Sequence, residues 1–176
     1  TASNNTAVGY LSLLANTTGT QNVAVGVNAL KANTTAEGNT AFGYNALDDN
    51  TTGNLNVAMG ANALGANTVG DRSVAIGYNA LQAQAPSSNA DMYNVAMGLN
   101  AGFSITTGVQ NTVIGSLCGD NITTGDLNTM IGYNLGNSAV GVDSEIVIGN
   151  NVNGAGTNTV RIGTAAGNAT LNLDGS

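Results

Sequence analysis

The sequence predicts an all-β fold, a β-solenoid of about ten coils in which parallel strands stack along one axis as a β-roll or β-helix. Three observations predict it. A five-residue segment ending in glycine recurs at nearly constant spacing, turn-forming Gly, Asn and Thr cluster between the apolar runs, and the 3.6-residue pattern of an amphipathic helix is missing. Each coil would bury its narrow apolar interior only against the coils above and below it.

The recurring segment has the form Asn-Thr/Val-Ala-apolar-Gly, and its glycines define the period. Successive glycines are separated by 17, 17, 17, 17, 21, 17, 17, 17 and 14 residues. With this glycine as position 0, each residue of a 17-residue coil has a column number from −4 to +12. The glycines are Gly9, Gly26, Gly43, Gly60, Gly77, Gly98, Gly115, Gly132, Gly149 and Gly163.

The columns before the glycine predict an interior and an exterior. Position −1 is always large and apolar, and position −3 lies on the same face of an extended strand, so we expect both to point inward. Alanine at −2 would then point outward, where a column of small side chains favours close approach of another subunit. The expected core column is Val8, Val25, Phe42, Met59, Ile76, Met97, Ile114, Ile131, Ile148 and Ile162. The candidate subunit contact is Ala7, Ala24, Ala41, Ala58, Ala75 and Ala96.

The columns after the glycine predict a second apolar wall and a corner. Leucine at +4 offers the wall, and Thr-Thr-Gly after it is typical of a turn. In the later coils the +4 leucine becomes glycine, while position +7 changes from Asn or Gln to Ile105 and Ile122. The two exchanges would compensate and keep the interior filled. The +4 residues are Leu13, Leu30, Leu47, Leu64 and Leu81, followed by Gly102, Gly119 and Gly136.

The repeat also predicts how the chain is divided. Residues 1–81 form the coils with leucine at +4, and residues 94–163 form the coils with the changed lining. Residues 82–93, which cause the 21-residue spacing and hold the only proline, predict a loop extruded from the stack. This loop is interpreted either as a tolerated surface insertion or as a partner-binding site, with Pro86, Tyr93 and Phe103 as the candidate binding residues.

The two ends of the chain depart from the repeat in different ways. The chain begins inside a repeat, which favours a piece of a longer protein. Residues 164–176 no longer follow the columns and predict an exit segment that leads to a further C-terminal region.

Composition excludes several classes of partner. Only 7% of the residues are charged, and the net charge of −7 leaves three cationic side chains, too few to neutralise a nucleic-acid backbone. No apolar run reaches the roughly 20 residues that span a bilayer, and no basic amphipathic stretch is present, so membrane insertion is not expected.

The sequence also argues against an enzyme. It has no histidine, and Cys118 falls in the +3 column otherwise held by alanine, where a small buried residue is expected rather than a nucleophile. The ten carboxylates are spread along the rod, mostly at corners, and Asp48–Asp49 would hold at most a weak calcium ion. We therefore expect no catalytic residues, no metal site and no cofactor.

Two motifs carry a resemblance to known families. NVAVG at Asn22–Gly26, SVAIG at Ser73–Gly77 and NTVIG at Asn111–Gly115 are similar to the head repeats of YadA-type trimeric autotransporter adhesins. NTAFGYNAL followed by NTTG, over residues 39–53, resembles repeats of phage and viral tail-fibre proteins. The resemblance covers residues 4–163 and implies a left-handed parallel β-roll, three copies of which pack around an axis. The 17-residue period departs from the adhesin heads, whose spacing is similar to the 14 residues between Gly149 and Gly163.

The resemblance implies a homotrimeric structural fibre segment with an adhesive or receptor-binding role. Its partners would be its own copies and a host-surface glycan or protein, and it would lie on a virion or at a cell surface or outside the cell. One alternative is a non-adhesive extracellular filament or spacer. The other is an ice-binding solenoid, because threonines stack along the rod, although here they are adjacent at a corner instead of alternating along a strand.

Overall fold

The computed structural model describes residues 2–136 and 139–164 and the backbone of residues 167–168. Short strands, one per coil, stack into a long sheet along one side of a rod. The strands are β1 Thr6–Val8, β2 Val23–Val25, β3 Thr40–Phe42, β4 Val57–Met59, β5 Gly70–Asp71, β6 Val74–Ile76, β7 Ala90–Asp91, β8 Val95–Met97, β9 Thr112–Ile114, β10 Thr129–Tyr133, β11 Ile146–Asn150, β12 Val160–Thr164 and β13 Gly167–Asn168.

The sheet confirms the predicted β-solenoid and its period. Its eleven strands run in the order β1-β2-β3-β4-β6-β8-β9-β10-β11-β12-β13, and all but the last pairing are parallel. The partners share a column whatever the spacing: Ala24 pairs with Ala41 across 17 residues, Ala75 with Ala96 across 21, and Val147 with Arg161 across 14. Ten parallel strands joined by nine turns therefore form the described stack.

Left-handed backbone conformations turn the chain at three columns of a typical coil, +2, +4 and +12. In the third coil these are Asn45, Leu47 and Leu55, with φ of 52°, 52° and 59°. Glycine is required at position 0 for a different reason: at Gly43, where φ is 144°, an added Cβ would lie 2.6 Å from the carbonyl oxygen of Gly60 in the next coil. A side chain there would break the stack.

The predicted facing of the strands is wrong. The core column at −1 is not buried: Val8, Phe42, Met59, Met97, Ile114 and Ile131 are exposed, and Val25, Ile76, Ile148 and Ile162 are half-buried. The alanines at −2 are the true interior residues, since Ala24, Ala41, Ala58, Ala75 and Ala96 are fully buried and only Ala7 of the first coil is exposed. They contact the inside of their own coil and cannot form a subunit contact.

The reason for the reversal is the narrowness of the coil. A three-residue strand sends one side chain inward and two outward. The interior also holds the +3 alanine and the +4 leucine, which are fully buried in Ala29, Leu30, Ala46 and Leu47. A leucine facing a large −1 residue would overfill so thin a layer, so the small side chain takes the inner position.

The predicted exchange between +4 and +7 is confirmed. Ile105 and Ile122 are fully buried, and a Cβ added at Gly102 would lie 2.9 Å from Cδ1 of Ile105 and 3.0 Å from Cδ2 of Leu81. The isoleucine thus fills the space that leucine fills in earlier coils. Cys118 is fully buried in the +3 column, as predicted.

The insertion at residues 82–93 leaves the stack only in part. Ser87, Ser88 and Asn89 are exposed, but the ends of the segment rejoin the rod, and Ala90–Asp91 pairs with Gly70–Asp71 as a second, two-stranded sheet. Pro86 and Met92 are buried over Gly70, where an added Cβ would lie 3.1 Å and 3.0 Å from their Cγ atoms.

The 14-residue coil is closed by a buried glutamate. In the longer coils the −4 asparagine donates to a corner carbonyl, as Asn128 Nδ2 does to Val142 O at 2.8 Å. Glu145 holds the same column but accepts instead, from Gly156 N–H at 2.6 Å. Its carboxylate also lies directly against Gly154, where an added Cβ would overlap it. Of the predicted exit segment, residues 165–166 and 169–176 lie outside the described residues.

Candidate functional site

The most distinctive surface is the outer side of the long sheet. The side chains at −3, −1 and +1 all point away from the interior, as in β10, where Thr129, Ile131 and Tyr133 alternate with buried Met130. We call the side chains of these three columns the outer face. It is three side chains wide and runs the length of the described stack.

The outer face is largely apolar, with threonine at several −3 positions, and it carries no charged side chain in the described coils. Its −1 residues include exposed large hydrophobics of the central coils, with Phe42 at 55% and Met59 at 42%. The face extends over four residue steps along each strand, from −3 to +1, and over nine strand spacings along the rod. Its dimensions are therefore about 13 Å by about 43 Å. Contiguous apolar patches of several hundred Å² mark interaction sites in soluble proteins.

The three candidate residues near the insertion do not form one site. Pro86 is buried, so it offers no contact to a partner. Tyr93 is exposed beside charged groups, its hydroxyl donating to Asp91 Oδ2 at 3.2 Å and its ring centroid lying 5.9 Å from Cζ of Arg72. Phe103 is exposed in the +5 column, on another part of the coil. The outer face, not the insertion, is therefore the larger apolar surface.

The interior contains ladders of asparagine that sequence reasoning missed. In the −4 column, the backbone N–H of Asn39 donates to Asn22 Oδ1 at 2.9 Å and that of Asn56 donates to Asn39 Oδ1 at 2.9 Å. The same side chains donate to corner carbonyls, as Asn39 Nδ2 does to Gly53 O at 2.9 Å. Fully buried asparagines thus satisfy the backbone at the corners, whereas the sequence pattern indicated only that asparagine is a turn-forming residue here.

A second ladder follows the +7 column until the isoleucines replace it. Asn50 Nδ2 donates to Asn33 Oδ1 at 3.3 Å, and Gln84 Nε2 donates to Asn67 Oδ1 at 3.2 Å. Gln84 also accepts from Ser73 Oγ at 3.1 Å, so the longer amide completes the network where serine interrupts the −4 column. The signal available in the sequence was this pairing of Ser73 with Gln84.

A third ladder, at +2, ends at an unsatisfied atom. Asn28 Nδ2 donates to Asn45 Oδ1 at 3.0 Å, and Asn62 and Asn79 are linked in the same way at 3.1 Å. Asn28 Oδ1 is buried without a hydrogen-bond partner, because the first coil has Leu11 in this column.

Two ionisable groups in the described residues have a raised pKa, Cys118 and Asp48. Burial raises the pKa of the Cys118 thiol, whose Sγ lies 3.0 Å from Gly132 O, and a raised pKa disfavours the thiolate. Burial and the neighbouring Asp49 raise the pKa of Asp48, which lies 3.8 Å from Lys31 Nζ. No group of three or more His, Cys, Asp or Glu side chains in the described residues is placed to hold a metal ion.

The +8 threonines use their hydroxyl hydrogens in bonds between coils. Thr17, Thr34 and Thr51 each donate from Oγ1 to the +8 carbonyl of the following coil, at 3.0 Å in all three cases. They therefore cap the corner between coils.

Comparison with known proteins finds no relative of this chain. The chain matches no model of a known protein family, no curated protein and no solved structure. The described part of the chain contains no apolar helix of membrane-spanning length.

Proposed function

We propose that this chain is a structural fibre segment with an adhesive or receptor-binding role, as in a viral tail fibre or a surface adhesin, and that it works as a homotrimer on a virion or at a cell surface. The proposal makes the rod a rigid spacer that carries binding surfaces at a distance. Many weak contacts along such a rod would act together through avidity.

The outer face is the observation that carries the proposal. Exposed side chains such as Phe42, Met59 and Met97 line a flat surface without charge, and leaving it in water costs roughly 25 cal/mol for each Å² that a partner could cover. A second copy of the same chain offers an equally apolar surface with the same 17-residue period. Self-association would therefore bury the −1 column and its −3 neighbours coil by coil.

Assembly around an axis accounts for the one-sided distribution of apolar residues. Each protomer has one outer face, and three copies turned toward a common axis would cover the −3 and −1 columns of all three faces at once, which is the arrangement that the resemblance to trimeric adhesins implies. The +1 column at the edge of the face and the corner columns would remain outside such a trimer and be available to a receptor. The −1 column, and not the alanine column, would then form the subunit contact.

The threonine columns favour the fibre over the ice-binding alternative. Because Thr34 and Thr51 direct their hydroxyl hydrogens to carbonyls of the next coil, these hydrogens are not free to order surface water. A non-adhesive spacer differs from an adhesin only in what the exposed corners bind.

The assembly is tested by the mass of the purified chain in solution. The wild-type protein is expected to have three times the 17.4 kDa mass of one chain by sedimentation or light scattering. Phe42→Asp places a charge in the outer face and is expected to shift the mass to that of one chain, because a charge buried in an apolar interface is strongly unfavourable.

Thr35→Asp is the matched control, since Thr35 is exposed at a corner away from the outer face and the substitution adds the same charge. Circular dichroism should show that both variants keep the β-fold. A wild-type mass of one chain, or an equal loss of mass in both variants, would contradict the proposal. Binding of the assembled protein to an array of host-surface glycans tests adhesion, and silence on every glycan would favour the spacer.

A further inference from the structure

Tyrosines recur along the outer face at every second coil. Tyr10, Tyr44 and Tyr78 hold the +1 column of the first, third and fifth coils, and they are 70%, 55% and 52% exposed. Val27 and Ala61 hold the column between them. Both intervening side chains are smaller than tyrosine.

The spacing of these rings is set by the backbone. Asn28 N–H donates to Tyr10 O at 2.9 Å, Asn45 N–H to Val27 O at 3.0 Å, Asn62 N–H to Tyr44 O at 2.9 Å and Asn79 N–H to Ala61 O at 2.9 Å. The column is thus bonded coil to coil. Two coils advance about 9.6 Å along the axis, so the three tyrosines recur along one column with that repeat.

We propose that this tyrosine row binds an extended, uncharged β-1,4-linked glycan, with one ring stacked on every second sugar. Successive sugars in such a chain are turned by half a revolution, so that the same apolar ring face recurs once per disaccharide, at close to two strand spacings. An aromatic ring packs well on that face, and a row of rings adds the contacts along one polymer. The inference names a partner for the adhesive role, and its adhesive meaning rests on that proposed function.

The negative net charge of the chain and its uncharged outer face favour an uncharged polymer as the ligand. No charged side chain lies in the outer face of the described coils, and the net charge of −7 opposes an anionic polysaccharide. The three cations of the chain, Lys31, Arg72 and Arg161, are far apart in the sequence and belong to different columns, so they offer no row of charges for sulfate or carboxylate groups.

The row also has a defined length. After Tyr78 the +1 column continues with Leu99 and Ser116, and Tyr133 follows three coils later, out of step with the two-coil spacing. Three rings contacting the first, third and fifth sugars require a ligand of about five units, and shorter oligosaccharides should bind more weakly because they reach fewer rings.

The test is a titration of the assembled, full-length chain with cellohexaose and with chitohexaose, followed by calorimetry or affinity electrophoresis. The wild-type protein is expected to bind at least one of them. Tyr44→Ala removes the middle ring and is expected to weaken binding by about tenfold. Tyr133→Ala, outside the row, is expected to leave the affinity unchanged.

The decisive variant moves a ring without removing one. Tyr44→Ala combined with Ala61→Tyr keeps three tyrosines in the same column but destroys the two-coil spacing, and it is expected to bind as weakly as Tyr44→Ala alone. Equal binding by this double variant and the wild type, equal binding of maltohexaose, or no binding of either β-linked ligand would overturn the inference.

The mass in solution, measured on the same samples, separates this inference from the fibre proposal. A trimer that binds neither glycan refutes the tyrosine row and leaves the assembly standing. A single chain that binds with the expected dependence on spacing supports the row and refutes the trimer.

Discussion

Buried asparagine is the residue that gives this solenoid its particular construction. Each −4 asparagine, such as Asn39, accepts a hydrogen bond from the backbone of the next coil and donates to the corner carbonyl of its own coil. Removing one partner of a buried hydrogen bond is costly, while the ladder as a whole leaves few buried polar groups unsatisfied. In the interior, asparagine side chains thus make the hydrogen bonds to backbone groups that water makes in exposed turns.

The end of the +2 ladder leads to a stabilising substitution. Leu11 has φ of 58°, which asparagine tolerates better than leucine, and its column neighbour Asn28 has an unpartnered, buried Oδ1. Leu11→Asn is expected to place an amide donor against that oxygen and to stabilise the first coil by roughly 1–2 kcal/mol. Native-state hydrogen exchange of the first-coil amides measures the gain.

Leu11→Ala serves as the control, because it removes the leucine without supplying a donor. It should not protect the first coil more than the wild type does. If the alanine and asparagine variants exchange at the same rate, the unpaired oxygen of Asn28 does not limit the stability of this coil.

The buried thiol predicts a pH dependence of stability. Because burial raises the pKa of Cys118 in the folded state above that of the unfolded chain, the thiol's contribution is fully present below the unfolded pKa of about 8.5. It is lost as the pH rises through the folded-state pKa. The stability of the wild type relative to Cys118→Ala is therefore expected to fall from neutral to alkaline pH.

Urea unfolding of both proteins over that pH range measures the difference, and the comparison cancels the ionisation of tyrosines, which both proteins share. Alanine is a fair replacement because it holds the +3 column in other coils, as at Ala101. A constant difference in unfolding free energy across the range would show that the thiol ionises equally in both states.

At the scale of the coil, the +4 and +7 columns behave as one unit. Leucine at +4 adopts a left-handed conformation, as in Leu81 with φ of 50°, and the later coils place Gly102 there with φ of 59°. Glycine adopts this conformation without strain, and the isoleucine three residues later restores the lost volume. The earlier coils therefore place a strained leucine at +4, whereas the later coils avoid that strain and place the apolar side chain at +7.

This coupling predicts a non-additive pair of substitutions. Gly102→Leu alone is expected to destabilise the protein by roughly 1–3 kcal/mol, because its side chain would overlap Ile105 and Leu81. Combined with Ile105→Asn, which recreates the lining of the earlier coils, the cost of the leucine should fall. Urea unfolding of both single variants and the double variant gives the coupling energy. Additive costs would contradict the compensation.

The elements show where prediction from sequence succeeds. The period, the parallel pairing by column and the +4 wall all follow from the spacing of Gly43, Leu47 and their counterparts. The sequence did not show which side chains of each strand point inward, because a column of alanines fits an outer contact as well as a thin interior. One signal was present: −2 enlarges to Val113 and Met130 where +4 loses leucine, as side chains sharing one interior would require.

For the whole molecule, stacking explains how so few large side chains support a rod. Each coil contacts only its neighbours, so stability is close to a sum over coils and their interfaces. The interior is a thin layer of alanine and leucine bounded by asparagine ladders, and the larger apolar residues are left on the outer face. A single chain therefore leaves its larger apolar side chains exposed to water, and this exposure is the basis of the proposed assembly.

The sequence by itself determined that the chain is a parallel β-solenoid and which residues stack on which, because a repeat with a strict glycine position admits one column alignment. Only the tertiary structure decided which side of each strand is inside and that the asparagines are buried. Facing depends on how much volume the closed coil encloses, and burial depends on partners that lie one full coil away, so neither can be read within a single repeat.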